Sequence, residues 1–259
     1  MPLSLTSTPA VSIRKEDQVW VGAGMLVHYL ESFTDSLVVT DEHDRPIGVI
    51  GGIEIIKGIF ENPSASFFEQ SIEKIMDDDI VQVTSDITLE TLMEKWQKTR
   101  RAFCIIPNQY SGFSAISARK MLEVGIRCKT ELKASDFPKK DLITFTCDDT
   151  MEEIMSKMIE NKTRKLLLKN SDGFISDRTI IQIIAQDLNF LKDTDNFLNL
   201  KFEGRFKLSD IKPIPESLNF ADISKLMFSM LHPYVMFNGQ IISPWDVCLT
   251  LLNDDISLQ

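Results

Sequence analysis

The chain has 259 residues, 43% hydrophobic and 25% charged, with a formal charge of −10 and a pI of about 4.9. That apolar content suffices for one large core or two ordinary ones and excludes a disordered or fibrous chain. The acidic balance argues against nucleic acid as a principal partner, because phosphate neutralisation dominates that affinity.

The opening stretch, MPLSLTSTPAVSIRKED, has no long apolar core behind a basic start, so no signal peptide is expected. A first helix is expected within Glu16–Leu30, where Val19, Ala23, Leu26 and Leu30 share a face. SLVVTDEHDRPIGVIGGIEIIKGIF then reads as two strands across a polar turn, with a second helix starting at Gly51.

From Ile75, IMDDDIVQVTSDITLETLMEKWQKTRRAFCII gives a short strand, a helix and another strand. Leu89, Leu92, Met93 and Trp96 share the helix face, and Asp86 stands as its N-cap. The acidic run Asp77–Asp79 reads as a solvated loop rather than a metal site. A turn around Asn108–Gly112, FSAI and a helix from Ser117 follow. EVGIRCKTELK, polar and with a glycine, marks a boundary near Gly125–Lys133.

FPKKDLITFTCDDTMEEIMSKMIENKTRKLLLK, from Phe137, repeats the pattern with Asp149 as N-cap. Met151, Ile154, Met155 and Met158 form its apolar stripe, read as core because Met fills irregular gaps. The turn Asn170–Gly173 leads into FISDRTIIQIIAQ, with a helix start at Ser176. The last stretch, IKPIPESLNFADISKLMFSMLHPYVMF from Ile211, carries Phe220, Ile223, Met227 and Met230 on one face. The turn Asn238–Gly239 and QIISPWDVCLTLL follow, with Ser243 as cap and Pro244 at the first helical position. The uncharged run Leu226–Trp245 has the length of a membrane span, but Pro233, Asn238, Gly239, Gln240 and Pro244 divide it into a strand and two helix ends. Cys104, Cys128, Cys147 and Cys248 contain no close pair and are expected as reduced, mostly buried thiols; with three histidines, no metal site is expected.

The second-helix starts Gly51, Ser117, Ser176 and Ser243 lie 59 to 67 residues apart, so a β-α-β-β-α unit recurs four times. The fold class is α+β. One such unit buries little surface alone, so units are expected to pair into two domains: 1–130, with units at about 10–62 and 71–125, and 131–259, with units at about 132–192 and 206–255.

SIEKIMDDDIVQVTSDITLETLMEKW and LKASDFPKKDLITFTCDDTMEEIMSKM resemble the opening of the CBS domain, and DEHDRPIGVIGGIEII and NGQIISPWDVCLTLL resemble its ending. The resemblance covers roughly residues 10–255. It implies two Bateman modules, a layout like that of the gamma subunit of AMP-activated protein kinase. It also implies clefts between paired units that bind AMP, ADP, ATP or S-adenosylmethionine, and a regulatory rather than catalytic role.

The family's ligand motif places a hydroxyl at the second helix start, for phosphate, and an Asp three residues on, for the ribose hydroxyls. The fourth copy keeps both, in Ser243 and Asp246; the third has Ser176 and Thr179, the second Ser117 and Lys120, the first Gly51 and Glu54. The same Ser-Pro-x-Asp pattern also reads as a plain helix start. By the same resemblance, positive charge for a phosphate falls at Arg100 and Arg101, at Arg164 and Lys165, and at His232, with Arg164 preferred; Arg178 is a further candidate. Adenine walls fall at Phe145 and Ile214, which read equally as sheet core.

The expected function is a non-catalytic, cytoplasmic sensor of an adenosine-containing ligand. An unidentified regulated protein and a homodimer are its expected partners, with neither nucleic acid nor membrane. The alternative is an interaction scaffold with degenerate, empty clefts. No Gly-rich phosphate loop, H-x-x-x-H pair or nucleophile elbow supports an enzyme.

Overall fold

A computed structural model describes residues 9–29, 34–108, 112–186, 191, 194–204, 206–253 and 256–258. Leu30 and the centre of the Asn108–Gly112 turn lie outside them. The first copy contributes β1 (Ser12–Arg14), α1 (Val19–His28), β2 (Ser36–Thr40), β3 (Pro46–Gly51) and α2 (Gly52–Glu61), then a one-turn α3 (Ala65–Phe68). The second contributes α4 (Leu89–Thr99), β4 (Phe103–Asn108), β5 (Gly112–Ser117), α5 (Ala118–Ile126) and a short β6 (Cys128–Lys129). The third has β7 (Thr144–Phe145), α6 (Met151–Glu160), β8 (Lys165–Leu168), β9 (Gly173–Ser176), α7 (Asp177–Gln186), α8 (Thr194–Asn199) and β10 (Ser209–Asp210). The fourth has β11 (Lys212–Pro213), α9 (Phe220–Phe228), β12 (Val235–Phe237), β13 (Gln240–Ile242), α10 (Pro244–Thr250) and β14 (Ser257–Leu258).

The copies share one topology. The first strand runs parallel to the second across a helix, and the second pairs antiparallel with the third. Ser12 lies opposite Val38 and Val38 opposite Val49; Thr144 opposite Leu167 and Leu167 opposite Phe174; Lys212 opposite Val235 and Val235 opposite Ile242. In the second copy, Gln82 makes a single parallel bridge to Ile105 in place of a first strand, while β4 and β5 pair from Phe103–Ser117 to Asn108–Gly112. The β12–β13 hairpin turns on Asn238 and Gly239, with φ of 47° and 76°. Both sit in the left-handed region that a two-residue hairpin needs, which favours Asn-Gly.

The first helices are capped by Thr88, Thr150 and Asn219, whose side chains accept from the N–H groups of Thr91, Glu153 and Asp222. The expected caps Asp86 and Asp149 therefore fall two residues and one residue early. Asp149 instead accepts from the Thr146 hydroxyl at 2.7 Å and pairs with Lys157. The apolar stripes are core: Met151, Ile154, Met155 and Met158 are fully buried, as are Leu92, Phe220, Ile223 and Met227. Each such side chain contributes about 1.5–3 kcal/mol relative to exposure.

Two compact units result, and they differ from the sequential division expected at residues 1–130 and 131–259. One, here the odd unit, joins Ser12–Asp78 to Leu142–Asp210, the first copy with the third. The other, the even unit, joins Met1–Val11, Asp79–Asp141 and Ile211–Gln259, the second copy with the fourth. The reason is helix packing. In the odd unit α1 packs on α7, and α2 on α6 and α7; in the even unit α5 packs on α9 and α10. Gly125 lets α5 approach α9 closely, since a Cβ there would lie 2.4 Å from Ser224 Oγ.

Candidate functional site

The candidate positions cluster where the third strand of each copy turns into its second helix. Gly51, Ser117 and Ser243 all hold extended backbone at the N-cap, which frees the cap side chain and its own N–H for bonding. In the second copy Ser117 Oγ accepts from the Lys120 N–H at 3.3 Å, and Lys120 pairs with Glu123 at 2.5 Å. In the third, Ser176 Oγ accepts from the Thr179 N–H at 3.2 Å, and the two hydroxyls lie 3.0 Å apart. In the first, Glu54 reaches back to the Gly51 N–H at 2.8 Å.

The fourth copy differs in charge and burial. Asp246 is 1% exposed. Its Oδ2 accepts from both the N–H and the hydroxyl of Ser243, at 2.9 and 2.6 Å. Its Oδ1 pairs with the Lys140 ammonium. Lys140 comes from the segment before β7, and that segment is rooted on the fourth copy. Phe137 stacks on Phe220 with centroids 5.7 Å apart, and the Gln240 side-chain amide donates to the Pro138 carbonyl. Burial pushes the neighbouring Cys248 thiol above its ordinary range, and the Asp246 charge adds to the effect.

Ser243 and Asp246 are thus brought together as a capping box, the plain helix start that the Ser-Pro-x-Asp pattern also reads as. Ile214 is buried in the even core, its N–H donating to the Met236 carbonyl at 2.9 Å. His232 is half-buried in the turn between α9 and β12, its carbonyl accepting from the Tyr234 N–H at 2.8 Å.

In the odd unit, Arg164 is engaged by carboxylates. Its Nε donates to Asp177 Oδ2 at 2.8 Å, and a second nitrogen lies 3.3 Å from Asp35 Oδ1. Asp177 is 1% exposed and stands so close to the start of α2 that a Cβ on Gly52 would meet its Oδ2 at 2.0 Å. A phosphate reaching Arg164 would therefore share the guanidinium with two internal carboxylates. Phe145 is fully buried, edge-on to Phe202 at 4.9 Å between centroids. A ring enclosed on all sides is sheet core, and it lines no ligand surface unless that core opens.

Two arginines hold positions that the repeat makes equivalent, each two residues after its N-cap serine. Arg178 donates to the carbonyls of Asp35 and Thr34, at 2.7 and 3.3 Å. Arg119 donates to those of Leu231, at 2.8 Å, and Met230. Each satisfies carbonyls just beyond the first helix of the copy it packs against, a structural task. Lys140 and Arg119 carry no sequence signal for these roles. Only the alignment of Arg119 with Arg178 hints at a shared one.

Residues 134–186 match the family model of the CBS domain. This chain carries a CBS domain. The match covers the third copy; the β-α-β-β-α order of the other copies repeats it, so the chain folds as four CBS-like units. A protein of Methanocaldococcus jannaschii, proposed as an archaeal homologue of g-AMPK, superposes with a TM-score of 0.77 at 15% identity, covering 96% of this chain and 99% of that one. An uncharacterized conserved protein from Pyrococcus horikoshii gives 0.56 at 9% identity, covering 96% and 98%. Among proteins with curated descriptions, none matches. Among the described residues, no group of three or more His, Cys, Asp or Glu could hold a metal ion, and no helix is long and apolar enough to cross a membrane.

Proposed function

We propose that this CBS-domain chain is a non-catalytic regulatory protein that senses an adenosine-containing ligand through its fourth copy. The ligand class is AMP, ADP, ATP or S-adenosylmethionine. The observation that carries the reading is Asp246, a carboxylate 1% exposed and held three residues after Ser243 at a strand-to-helix turn. An ionised carboxylate is acceptor-only, so it suits two vicinal hydroxyls of a ribose. Ser243 would face the phosphate, with Ile214 and His232 at the adenine and phosphate sides.

The third copy, with Ser176, Thr179, Arg164 and Phe145, is the weaker candidate, because no carboxylate stands at Thr179 and Arg164 is already paired. Binding shifts a conformational equilibrium by no more than the ligand's differential affinity for the two states. The regulated target is a separate protein, the chain itself works in the cytoplasm, and a homodimer is its proposed assembly. An energy-sensing role follows if AMP and ATP compete.

The scaffold alternative has one observation in its favour. Asp246 and Arg164 are both satisfied by internal partners, as in a protein whose sites stay empty. Isothermal titration with AMP, ATP and S-adenosylmethionine separates the two. Saturable heat that Asp246→Ala abolishes supports the sensor; no heat at hundred-micromolar protein supports the scaffold.

A further inference from the structure

We infer that Lys140 selects the ligand class of the fourth copy: it leaves Asp246 when a ribose arrives and re-pairs with the ligand's phosphate, so that adenosine phosphates bind in preference to adenosine. The inference rests on the sensor reading above and adds to it a residue outside the motif and a charge requirement.

The argument is one of charge. The Asp246 side chain is 2% exposed, and Lys140 is the cation against its Oδ1. Vicinal hydroxyls arriving at that oxygen supply hydrogen bonds but no charge. A neutral ligand thus leaves a buried carboxylate without its counter-ion, which costs free energy. A phosphate-bearing ligand brings a second negative group towards the same carboxylate, and the two repel unless a cation lies between them.

Lys140 is built to take that place. Its root is fixed, because Phe137 stacks on Phe220 and the Pro138 carbonyl accepts from Gln240. Its side chain is 42% exposed and is a flexible four-carbon stem, so the ammonium can swing without the segment unfolding. With adenosine the ammonium returns to water and its attraction for Asp246 is lost. With AMP it keeps a negative partner throughout.

Calorimetric titration of the whole chain with adenosine, AMP and S-adenosylmethionine tests this on the unaltered protein and on Lys140→Met, Lys140→Gln and Lys140→Arg. The unaltered protein is expected to bind AMP about tenfold or more tighter than adenosine, the scale of one charge-assisted hydrogen bond. Lys140→Met and Lys140→Gln should bring that ratio close to one, by weakening AMP and by tightening adenosine, which then has no ion pair to break, and Lys140→Arg should keep most of it. Circular dichroism establishes that each variant is folded. Equal affinities for adenosine and AMP on the unaltered protein, or a preference intact in both neutral variants, overturn the role of Lys140 and leave the sensor reading standing. No heat from any ligand on the unaltered protein overturns the sensor reading, and this inference with it.

Discussion

Gly125→Ala tests the joining of the second copy to the fourth. In a helix whose surface is open, Gly to Ala stabilises by up to ~1 kcal/mol. Here the new methyl would lie 2.4 Å from Ser224 Oγ, 3.0 Å from Ser224 Cβ and 3.2 Å from a Val247 methyl. Ser224 cannot yield freely, because its hydroxyl donates to the Phe220 carbonyl at 2.9 Å and the residue is fully buried. Overpacking of this kind costs about 1–3 kcal/mol. Contacts of 2.4 and 3.0 Å place the cost in the upper half of that range, about 2–3 kcal/mol, so subtracting the helix gain leaves a net loss of roughly 1–2 kcal/mol. Urea unfolding should show a lowered midpoint with an unchanged slope. Ser224→Gly in the same chain should recover part of the loss, giving a favourable coupling of about 1 kcal/mol in the double-mutant cycle. If Gly125→Ala is neutral or stabilising, α5 and α9 do not meet at this crossing, and the division into odd and even units is wrong.

Asp41 accepts from the Arg45 side chain and from the N–H groups of Arg45 and His43, and these hold its carboxyl at about 2 against an ordinary 3.8. A depressed folded pKa contributes stability above the unfolded value and loses it as the pH falls through about 2, so NMR of the Asp41 carboxyl carbon should titrate near there and Arg45→Met should move the midpoint upward. The thiols should separate by burial: Cys104 and Cys128 are pushed up to about 12 and about 11, Cys248 is raised as well, and Cys147 is exposed. A thiol reagent at pH 8 should label Cys147 alone in the folded protein and all four after denaturation, read by mass spectrometry.

Local structure is legible in the sequence wherever one copy supplies all its own signals. Gly51, Ser117 and Ser243 cap second helices as read, and Ser176 ends β9 directly before α7, because a strand running into a cap is marked by residues within four positions. The Met stripe of α6 announces a buried face. A stripe tells which face is buried, however, and not against what. Hence the partners of α5 and α7 are invisible from polarity, and the small residues Gly52 and Gly125 are the only trace of the close approaches they permit.

The site divides the same way. Ser243 and Asp246 are three residues apart, and their contact is legible. Lys140 lies more than a hundred residues from Asp246, and nothing near it in the sequence tells that its segment packs on the fourth copy. Arg164 looks free for a phosphate until Asp177, 13 residues on, and Asp35, 129 residues back, are seen beside it.

Diffraction from crystals grown with AMP is the most direct measurement. The sensor reading predicts the ribose hydroxyls on the Asp246 carboxylate, and the Lys140 inference adds the ammonium moved onto the phosphate. AMP bound elsewhere, or absent while Asp246 still holds Lys140, would contradict it.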